Sequence, residues 1–252
     1  MLQFQRKNDM PIHPVKSAER IIRILELFKE ERRPHSLHAV ATKLGIPSPS
    51  ALALLKTLVG TGYLIFDLQN RTYFPSLRLA SLGDWVTPSF FENSSVLKVA
   101  QQLRSETAKH VVVSLQSDIY VHYVCVLHAE EKWQYGTQEG GLWPLVKSCS
   151  GITMLSAMPD RSIDRICKRS NAANGTKSER VDSEKIIELA HKFRQQGYGS
   201  LVENAHPELI NLSMLLPPTA TGKRFAITVH GTAAPRQYGA LVKKMYEAIA
   251  AA

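Results

Sequence analysis

Residues 37–58 read Leu37-His-Ala-Val-Ala-Thr-Lys-Leu-Gly-Ile-Pro-Ser-Pro-Ser-Ala-Leu-Ala-Leu-Leu-Lys-Thr-Leu58 and predict two short helices joined by a turn. Each helix has an apolar face at helical spacing, formed by Leu37, Val40, Ala41 and Leu44 in the first and by Ala51, Leu54, Leu55 and Leu58 in the second. We expect Gly45 to close the first helix and Ser48 to cap the second, with Pro49 at the first helical position, where its missing N–H costs nothing. This arrangement is the sequence form of a helix-turn-helix, whose second helix enters the major groove of DNA.

The segments on either side extend this motif. A helix over residues 15–30 is predicted from the spacing of Ile21, Ile24, Leu25 and Phe28, with Ser17 as its cap. Residues 62–66 and 71–74 are β-prone, and the turn-forming residues 67–70 between them predict a hairpin. Three helices followed by a hairpin indicate a winged helix-turn-helix that ends near Pro75.

The rest of the chain alternates between helices and strands. Helices at 77–85 and 91–108 are predicted to join the two halves, with a break at Thr87-Pro88-Ser89. Strands are predicted at 111–115, 120–126, 199–203, 212–216 and 224–229, helices at 150–157, 162–169, 183–196 and from 234 onward, and a polar loop at 171–178. This interleaving indicates an α+β domain.

The overall composition is that of a soluble globular protein. With 252 residues, 44% of them hydrophobic and 21% charged, the chain is long enough for two domains. It has no apolar run near the ~20 residues that span a bilayer, and its polar N-terminus lacks a secretory stretch, so we expect a cytoplasmic protein without a membrane partner. The three cysteines are widely spaced, which argues against a disulfide framework or a metal site.

Positive charge is concentrated toward the N-terminus. The formal net charge is +9: residues 1–90 hold 12 Lys and Arg against 7 Asp and Glu, a net of +5, and residues 91–252 hold 19 against 15, a net of +4. The excess per residue is therefore more than twice as large in the first part, which favours phosphate contacts there.

Several motifs together resemble the IclR family of bacterial transcription regulators, over nearly all of the chain. In the first half they are Val15-Lys-Ser-Ala-Glu-Arg20, Leu44-Gly-Ile-Pro47, Leu54-Leu-Lys-Thr-Leu58 and Gly62-Tyr-Leu64. In the second half they are Ser150-Gly151 at a helix start and Gly197-Tyr198 followed by Glu203.

The resemblance implies an α+β protein with an N-terminal winged helix-turn-helix, a helical linker and a C-terminal GAF-like effector-binding domain. On this basis we divide the chain into an N-terminal arm (1–14), a DNA-binding domain (15–76), linker helices (77–108) and an effector-binding domain (109–252). The resemblance also implies a homodimer or homotetramer on double-stranded operator DNA that responds to a small metabolite, often a carboxylate or an aromatic compound. No cofactor is expected.

The predicted recognition helix departs from the family pattern. Family members commonly carry Ser and Arg where this chain has Pro49 and Ala53, and bidentate readers of guanine or adenine are absent from this face. The predicted DNA-binding residues are Ser48, Pro49, Ser50, Ala53, Lys56, Thr57 and Arg71. Base reading then depends either on Ser50, Thr57 and contacts of Ala53 or Leu52 with thymine methyls, or partly on DNA shape. Ser48, Lys56 and Arg71 would hold phosphates, and Arg71 in the wing would also reach the minor groove.

The resemblance places Glu203, Ser213, Thr228 and His230 at positions of the effector pocket. Thr228 and His230 are two residues apart on a predicted strand and therefore share a face. Ser148, Cys149 and Gly151 precede or begin a predicted helix, whose N–H groups would hold a carboxylate. His230 stands where a small hydroxyl residue is frequent, so we expect a smaller pocket that favours an anionic or hydrogen-bonding ligand.

Two functions remain open at this point. The first is a ligand-responsive transcriptional regulator that reads operator DNA. The alternative is a small-molecule sensor that acts through protein contacts with weakened sequence-specific DNA readout, because the recognition helix has few polar readers. An enzyme is not expected: no paired catalytic residues are evident, and Cys149 has no histidine near it in sequence to act as a base.

Overall fold

The computed structural model describes residues 15–91, 95–130, 139–173, 180–201, 209–219 and 222–251. The described residues form two compact units, one within Ile12–Glu92 and the other within Asn93–Ala252. The predicted N-terminal arm, residues 1–14, lies outside the described residues. None of the described helices has the length and apolar character that crossing a bilayer requires.

The N-terminal unit is the predicted winged helix-turn-helix. Its elements are α1 (Lys16–Glu31), β1 (His35–Ser36), α2 (Leu37–Leu44), α3 (Ser48–Gly60), β2 (Leu64–Asp67), β3 (Thr72–Pro75), α4 (Leu77–Ser81) and α5 (Val86–Phe91). The three strands form an antiparallel sheet in the order β1-β3-β2, and β2 and β3 are the wing.

Burial of one face holds α3 in place. The core of this unit contains Ile24, Phe28, Val40, Leu55, Leu58 and Tyr73, and Ala51 is also fully buried. Leu55 has no exposed surface, so α3 is anchored by the side opposite the predicted DNA face. Gly45 ends α2 with a φ of +63°, and the amide of Ile46 donates to the carbonyl of Ala41 at 2.9 Å.

Three local predictions in this unit are wrong. Neither Ser17 nor Ser48 caps a helix, because the residues in the capping positions are Val15 and Pro47, and neither forms a side-chain cap. The cap that does form is Ser36, whose hydroxyl accepts from the amide of Ala39 at the start of α2. The predicted break at residues 87–89 is instead inside α5, since proline is tolerated in the first turn of a helix.

The C-terminal unit is built on one antiparallel sheet with the order β6-β5-β4-β9-β8-β7. Its elements are α6 (Val96–Thr107), β4 (His110–Ser117), β5 (Tyr120–Leu127), β6 (Leu142–Pro144), α7 (Cys149–Leu155), α8 (Asp160–Ala173), α9 (Ser183–Gln196), β7 (Gly199–Ser200), β8 (Leu209–Leu215), β9 (Phe225–Thr232) and α10 (Tyr238–Ala250). Both faces of this sheet are buried. Val112 and Ala226 pack with α7, α8 and α9 on one face, and their neighbours Val111 and Ile227, which point to the opposite face, are also fully buried. The arrangement is consistent with the predicted GAF-like domain.

Several boundaries in this unit differ from those predicted. Strand β6 was not predicted, and β8 begins at Leu209 rather than at residue 212. Helix α8 continues to Ala173, into the predicted loop at 171–178, whose remainder from 174 lies outside the described residues. Helix α6 packs against α10 and β4, and the division into linker and effector-binding domain stays a prediction.

Candidate nucleic-acid interface and ligand site

One face of α3 is exposed and carries most of the residues predicted to contact DNA. Pro49, Ala53 and Thr57 follow one another at four-residue spacing along it, and Ser48 and Lys56 lie beside them. All five residues are exposed, whereas the opposite side of α3 is buried in the core described above. The helix is therefore fixed by one side and leaves the other open to a partner.

The hydrogen-bonding capacity of this face is small. Oγ1 of Thr57 donates to the carbonyl of Ala53 at 2.9 Å, so its proton is used within the helix. Ser50 is half-buried, and Lys56 is the one charged residue of α3. The donors that face outward are therefore concentrated at Ser48 and Lys56.

The turn of the wing is held rigid just before Arg71. Oδ1 of Asp67 accepts from the amides of Gln69 at 2.9 Å and Asn70 at 3.1 Å, and the Asn70 side chain donates to Oδ2 at 2.7 Å. The bonds from Asn70 hold the pKa of the Asp67 carboxyl below its usual value. Arg71 follows in the left-handed conformation with φ +51° and is exposed. Neither Arg71 nor Lys56 forms an ion pair with another residue of the described chain, so both charges are available to phosphates.

A polar cluster, formed by Asn211, Ser213, Thr228 and His230, lies on one face of the larger sheet. In the register of β8 and β9, Asn211 is opposite His230 and Ser213 is opposite Thr228. Oγ1 of Thr228 donates to Oγ of Ser213 at 3.0 Å, and Nδ1 of His230 bonds to Oδ1 of Asn211. Ser213, Thr228 and His230 are 0%, 1% and 9% exposed. The two pairs are separated by two residues along each strand, or about 7 Å.

His230 is uncharged at neutral pH. Burial lowers its pKa to about 4, and His110, which lies opposite it across β4 and β9, acts in the same direction. With the amide of Asn211 in its present orientation, Nδ1 of His230 carries the proton and donates it to Oδ1. His230 therefore offers hydrogen bonds to a ligand but no positive charge.

The stability of the protein should fall in mild acid because of His230. The pKa of His230 is about 4 in the folded protein and near 6.5 in the unfolded chain. Between these two pH values the histidine binds a proton in the unfolded chain but not in the folded protein. Acidification from pH 7.5 to 5 should therefore cost about 2 kcal/mol of unfolding free energy from this residue, and the loss should cease below about pH 4. Urea titrations at both pH values measure this loss of unfolding free energy. It should be smaller in His230→Gln than in the natural protein by about 2 kcal/mol.

The exposed His38 provides the matched control for that measurement. The variant His38→Gln also removes one imidazole, and its stability should depend on pH more strongly than that of His230→Gln. Equal pH dependence in His230→Gln and the natural protein would contradict the assignment of a depressed pKa to His230.

The start of α7 is tightly constructed around Gly151. Oγ of Ser148 accepts from the amide of Gly151 at 3.1 Å and caps the helix. A Cβ on Gly151 would lie 2.0 Å from the carbonyl oxygen of Leu145, which only glycine avoids. The Gly151 amide is thus already bonded, in contrast to the free N–H group that the sequence led us to expect.

Cys149 connects α7 to the polar cluster. Its Sγ donates to the carbonyl of Asn211 at 3.0 Å, and burial raises the pKa of the thiol to about 12. The thiol is therefore protonated at neutral pH and acts as a weak donor rather than as a nucleophile.

The structure brings together Cys149, Ser213, Thr228 and His230, with Ser148 and Gly151 in the adjoining turn of α7. Glu203 lies outside the described residues. A separate surface groove of about 220 Å³ lies at the other end of α7, between Thr153, Phe193 and Tyr198.

Two members of this region, Asn211 and His110, were missed in the sequence. Each is one residue before the predicted start of its strand. Asn211 is two residues before Ser213 and His110 is two residues before Val112, so each shares a strand face with that residue. Longer strands would have included them. Their closeness to His230 depends on strand pairing, which the alternation alone does not reveal.

Comparison with known proteins agrees with this architecture. Residues 17–67 match the model of the IclR helix-turn-helix domain. The IclR of Thermotoga maritima superposes with a TM-score of 0.72 at 15% identity, covering 93% of this chain and 96% of that one. HmgR of Pseudomonas aeruginosa superposes with a TM-score of 0.64 at 20% identity, covering 94% of this chain and 97% of that one. An IclR homolog from Microbacterium hydrocarbonoxydans was solved in complex with 4-hydroxybenzoate. It superposes with a TM-score of 0.61 at 15% identity, covering 93% of this chain and 98% of that one.

No curated protein matches the chain in sequence. At such low identities the solved structures establish the fold, while the match over residues 17–67 identifies the helix-turn-helix domain. Together they confirm the resemblance to the IclR family and the predicted fold class.

Proposed function

We propose that this protein, whose residues 17–67 match the IclR helix-turn-helix domain, is an IclR-type transcriptional regulator that binds operator DNA under the control of a small metabolite. The DNA-binding domain, residues 15–76, reads the operator. The effector-binding domain, residues 109–252, holds the metabolite, and the linker helices, residues 77–108, couple the two. The active species is a homodimer or homotetramer, which places two or more α3 helices on successive half-sites.

The exposed face of α3 carries this proposal. Lys56, Arg71 and Ser48 hold phosphates, because the two cations form no ion pair within the described residues and Ser48 is not used as a helix cap. Ser50, Ala53 and Thr57 face the base edges of the major groove. Pro49 lies near the N-terminus of α3, and the N-terminal residues of recognition helices commonly contact bases.

Binding of the DNA upstream of the protein's own gene tests the proposal directly. Fluorescence anisotropy titrations at several salt concentrations should give binding that prefers this sequence over a shuffled duplex and that weakens steeply with salt. Equal affinity for both duplexes at every salt concentration would contradict operator binding.

The polar cluster is the proposed effector site. Ser213, Thr228 and His230 offer neutral donors and acceptors rather than a cation. The proposed set also includes Ser148, Cys149 and Gly151 at the start of α7, where the Cys149 thiol and the Gly151 amide already bond to Asn211 and Ser148. Glu203 completes the proposed set. Such a site favours a small aromatic or carboxylic compound that is held by hydrogen bonds, and the 4-hydroxybenzoate bound to the Microbacterium homolog is a compound of this class.

A bound effector should raise the melting temperature of the protein. At a concentration 100 times its dissociation constant, a ligand stabilises the folded state by about 2.7 kcal/mol, which corresponds to about 5–10 °C for a chain of this size. A thermal-shift panel of 4-hydroxybenzoate, benzoate and short aliphatic carboxylates should contain at least one such compound. The variant Thr228→Val, which removes one hydroxyl of the polar cluster, should lose the shift.

A matched control is Thr153→Val, because Thr153 lines the groove at the other end of α7. The shift should survive in this variant. A shift that is lost in Thr153→Val and retained in Thr228→Val would place the effector in the groove and contradict the proposed site.

The small number of polar readers on α3 favours one alternative. In that case the protein binds an effector and acts through protein contacts, and its α3 no longer selects a DNA sequence. Reversal of the charges at Lys56 and Arg71 separates the two functions, because only operator binding requires both cations.

A further inference from the structure

We infer that this protein reads its operator through the methyl groups of thymine, which pack on an apolar stripe formed by Pro49, Ala53 and Thr57. The inference rests on the proposed DNA binding and states how that binding becomes sequence-specific. These three residues form the methyl stripe.

The geometry of α3 makes the methyl stripe continuous. Residues four apart on a helix lie on the same side, about 6 Å from one another along the axis. The three residues therefore extend over about 12 Å, which equals three to four base-pair steps of about 3.4 Å. All three are exposed, and the buried Leu55 anchors the helix from behind.

The chemistry of the methyl stripe is apolar despite the threonine. Pro49 has no N–H, and Ala53 offers a single methyl group. Thr57 spends its proton on the carbonyl of Ala53 at 2.9 Å, which also restricts its rotamer and leaves a methyl group and an acceptor oxygen. No Arg, Asn or Gln occurs in α3 to donate to guanine or to pair with adenine.

Thymine is the base that matches such a surface. Of the four bases it alone presents a methyl group in the major groove. Guanine and cytosine would instead press polar edges against the methyl stripe, which leaves their donors and acceptors unsatisfied. Half-sites with A·T pairs opposite the methyl stripe should thus be preferred, and Lys56 beside it adds affinity through phosphate without choosing the sequence.

Replacing thymine by uracil tests the inference, because uracil pairs in the same way but lacks the methyl group. The full-length protein is used to select duplexes from a random-sequence pool, and each recovered half-site is resynthesised with uracil at one thymine at a time. Each contacted methyl should contribute about three- to fourfold to affinity, and removal of two should cost about tenfold.

Thr57→Ser provides the matching change in the protein, since it keeps the hydroxyl bond to Ala53 and removes one methyl group. In this variant one thymine position should lose its sensitivity to uracil, while the others keep theirs. Thr61→Ser is the control: Thr61 also bonds back to the helix, through the carbonyl of Thr57 at 2.7 Å, but lies beyond the methyl stripe. All uracil effects should remain in that variant.

The outcomes separate this inference from the proposed function. Selected half-sites that lack thymine, or that bind equally well with uracil at every position, would overturn the inference while sequence-specific DNA binding stands. A pool from which no sequence is enriched would overturn both. Uracil effects that are the same in Thr57→Ser and Thr61→Ser would overturn the assignment to the methyl stripe.

Discussion

Exchange of Lys56 and Arg71 for glutamate should weaken operator binding about 100-fold or more. Each cation that contacts a phosphate releases counterions, and a charge-assisted hydrogen bond lost at the interface costs about 1.5–3 kcal/mol. The two substitutions also bring negative charge against the phosphates. The plot of log affinity against log salt should lose about two units of slope per chain, which anisotropy titrations at several salt concentrations measure.

A control with the same change in net charge is Lys185→Glu with Lys192→Glu, because both lysines are exposed on α9 of the other unit. This pair should alter affinity far less than the first. In cells, a reporter under the protein's own promoter should lose regulation with Lys56→Glu plus Arg71→Glu. Regulation that persists in this variant would favour the alternative function, in which protein contacts replace operator reading.

Gly151→Ala should destabilise the C-terminal unit by about 3 kcal/mol or more. The new Cβ would lie 2.0 Å from the carbonyl oxygen of Leu145 and 2.6 Å from Oγ of Ser148. The first contact is with backbone, and every residue of α7 is buried, so the helix has no free direction in which to move. Urea unfolding followed by circular dichroism should show a lower midpoint for the transition of this unit.

Gly239→Ala is the control for Gly151→Ala. Gly239 is in α10 of the same unit and has open space around its Cβ position, so alanine should leave stability unchanged or raise it by up to about 1 kcal/mol. Equal midpoints for the two variants would contradict the close packing at the start of α7. Loss of Gly151 should also abolish effector binding, since Cys149 and Ser148 lie in the same turn.

Local signals in the sequence were enough for most helices and for the wing. The pattern of residues 183–196 predicted α9 with its observed ends, because a continuous apolar stripe is cut off by Asp182 and Gly197. The turn at Asp67 and Asn70 was likewise predicted, since their side chains bond to nearby amides. Such interactions join residues that are close in sequence and can be recognised there.

Helix caps were predicted less well. Ser17 and Ser48 had the right residue type, but both lie inside their helices, because α1 begins at Lys16 and α3 begins at Ser48. The sequence still predicted which side of α3 is exposed. Ala51, Leu55 and Leu58 recur at helical spacing and mark the buried side, so the residues opposite them face outward.

The polar cluster depended on contacts between distant residues. The alternation within each strand predicted that Thr228 and His230 share a face, but not that Ser213 and Asn211 lie opposite them or that His110 is next to His230. The register of an antiparallel pair is set by the packing of whole strands against a core, and it brings together residues that the chain separates by up to the length of a domain.

The residue pattern of this chain was sufficient to define a winged helix-turn-helix with an exposed, hydrogen-bond-poor recognition face, because helical period and turn chemistry act over a few neighbouring residues. Only the tertiary structure decided that His230 is neutral, that the Cys149 thiol stays protonated and that a Cβ has no room at Gly151. Each of these properties follows from burial among groups far away in sequence, and desolvation and steric contact exist only once the chain has folded.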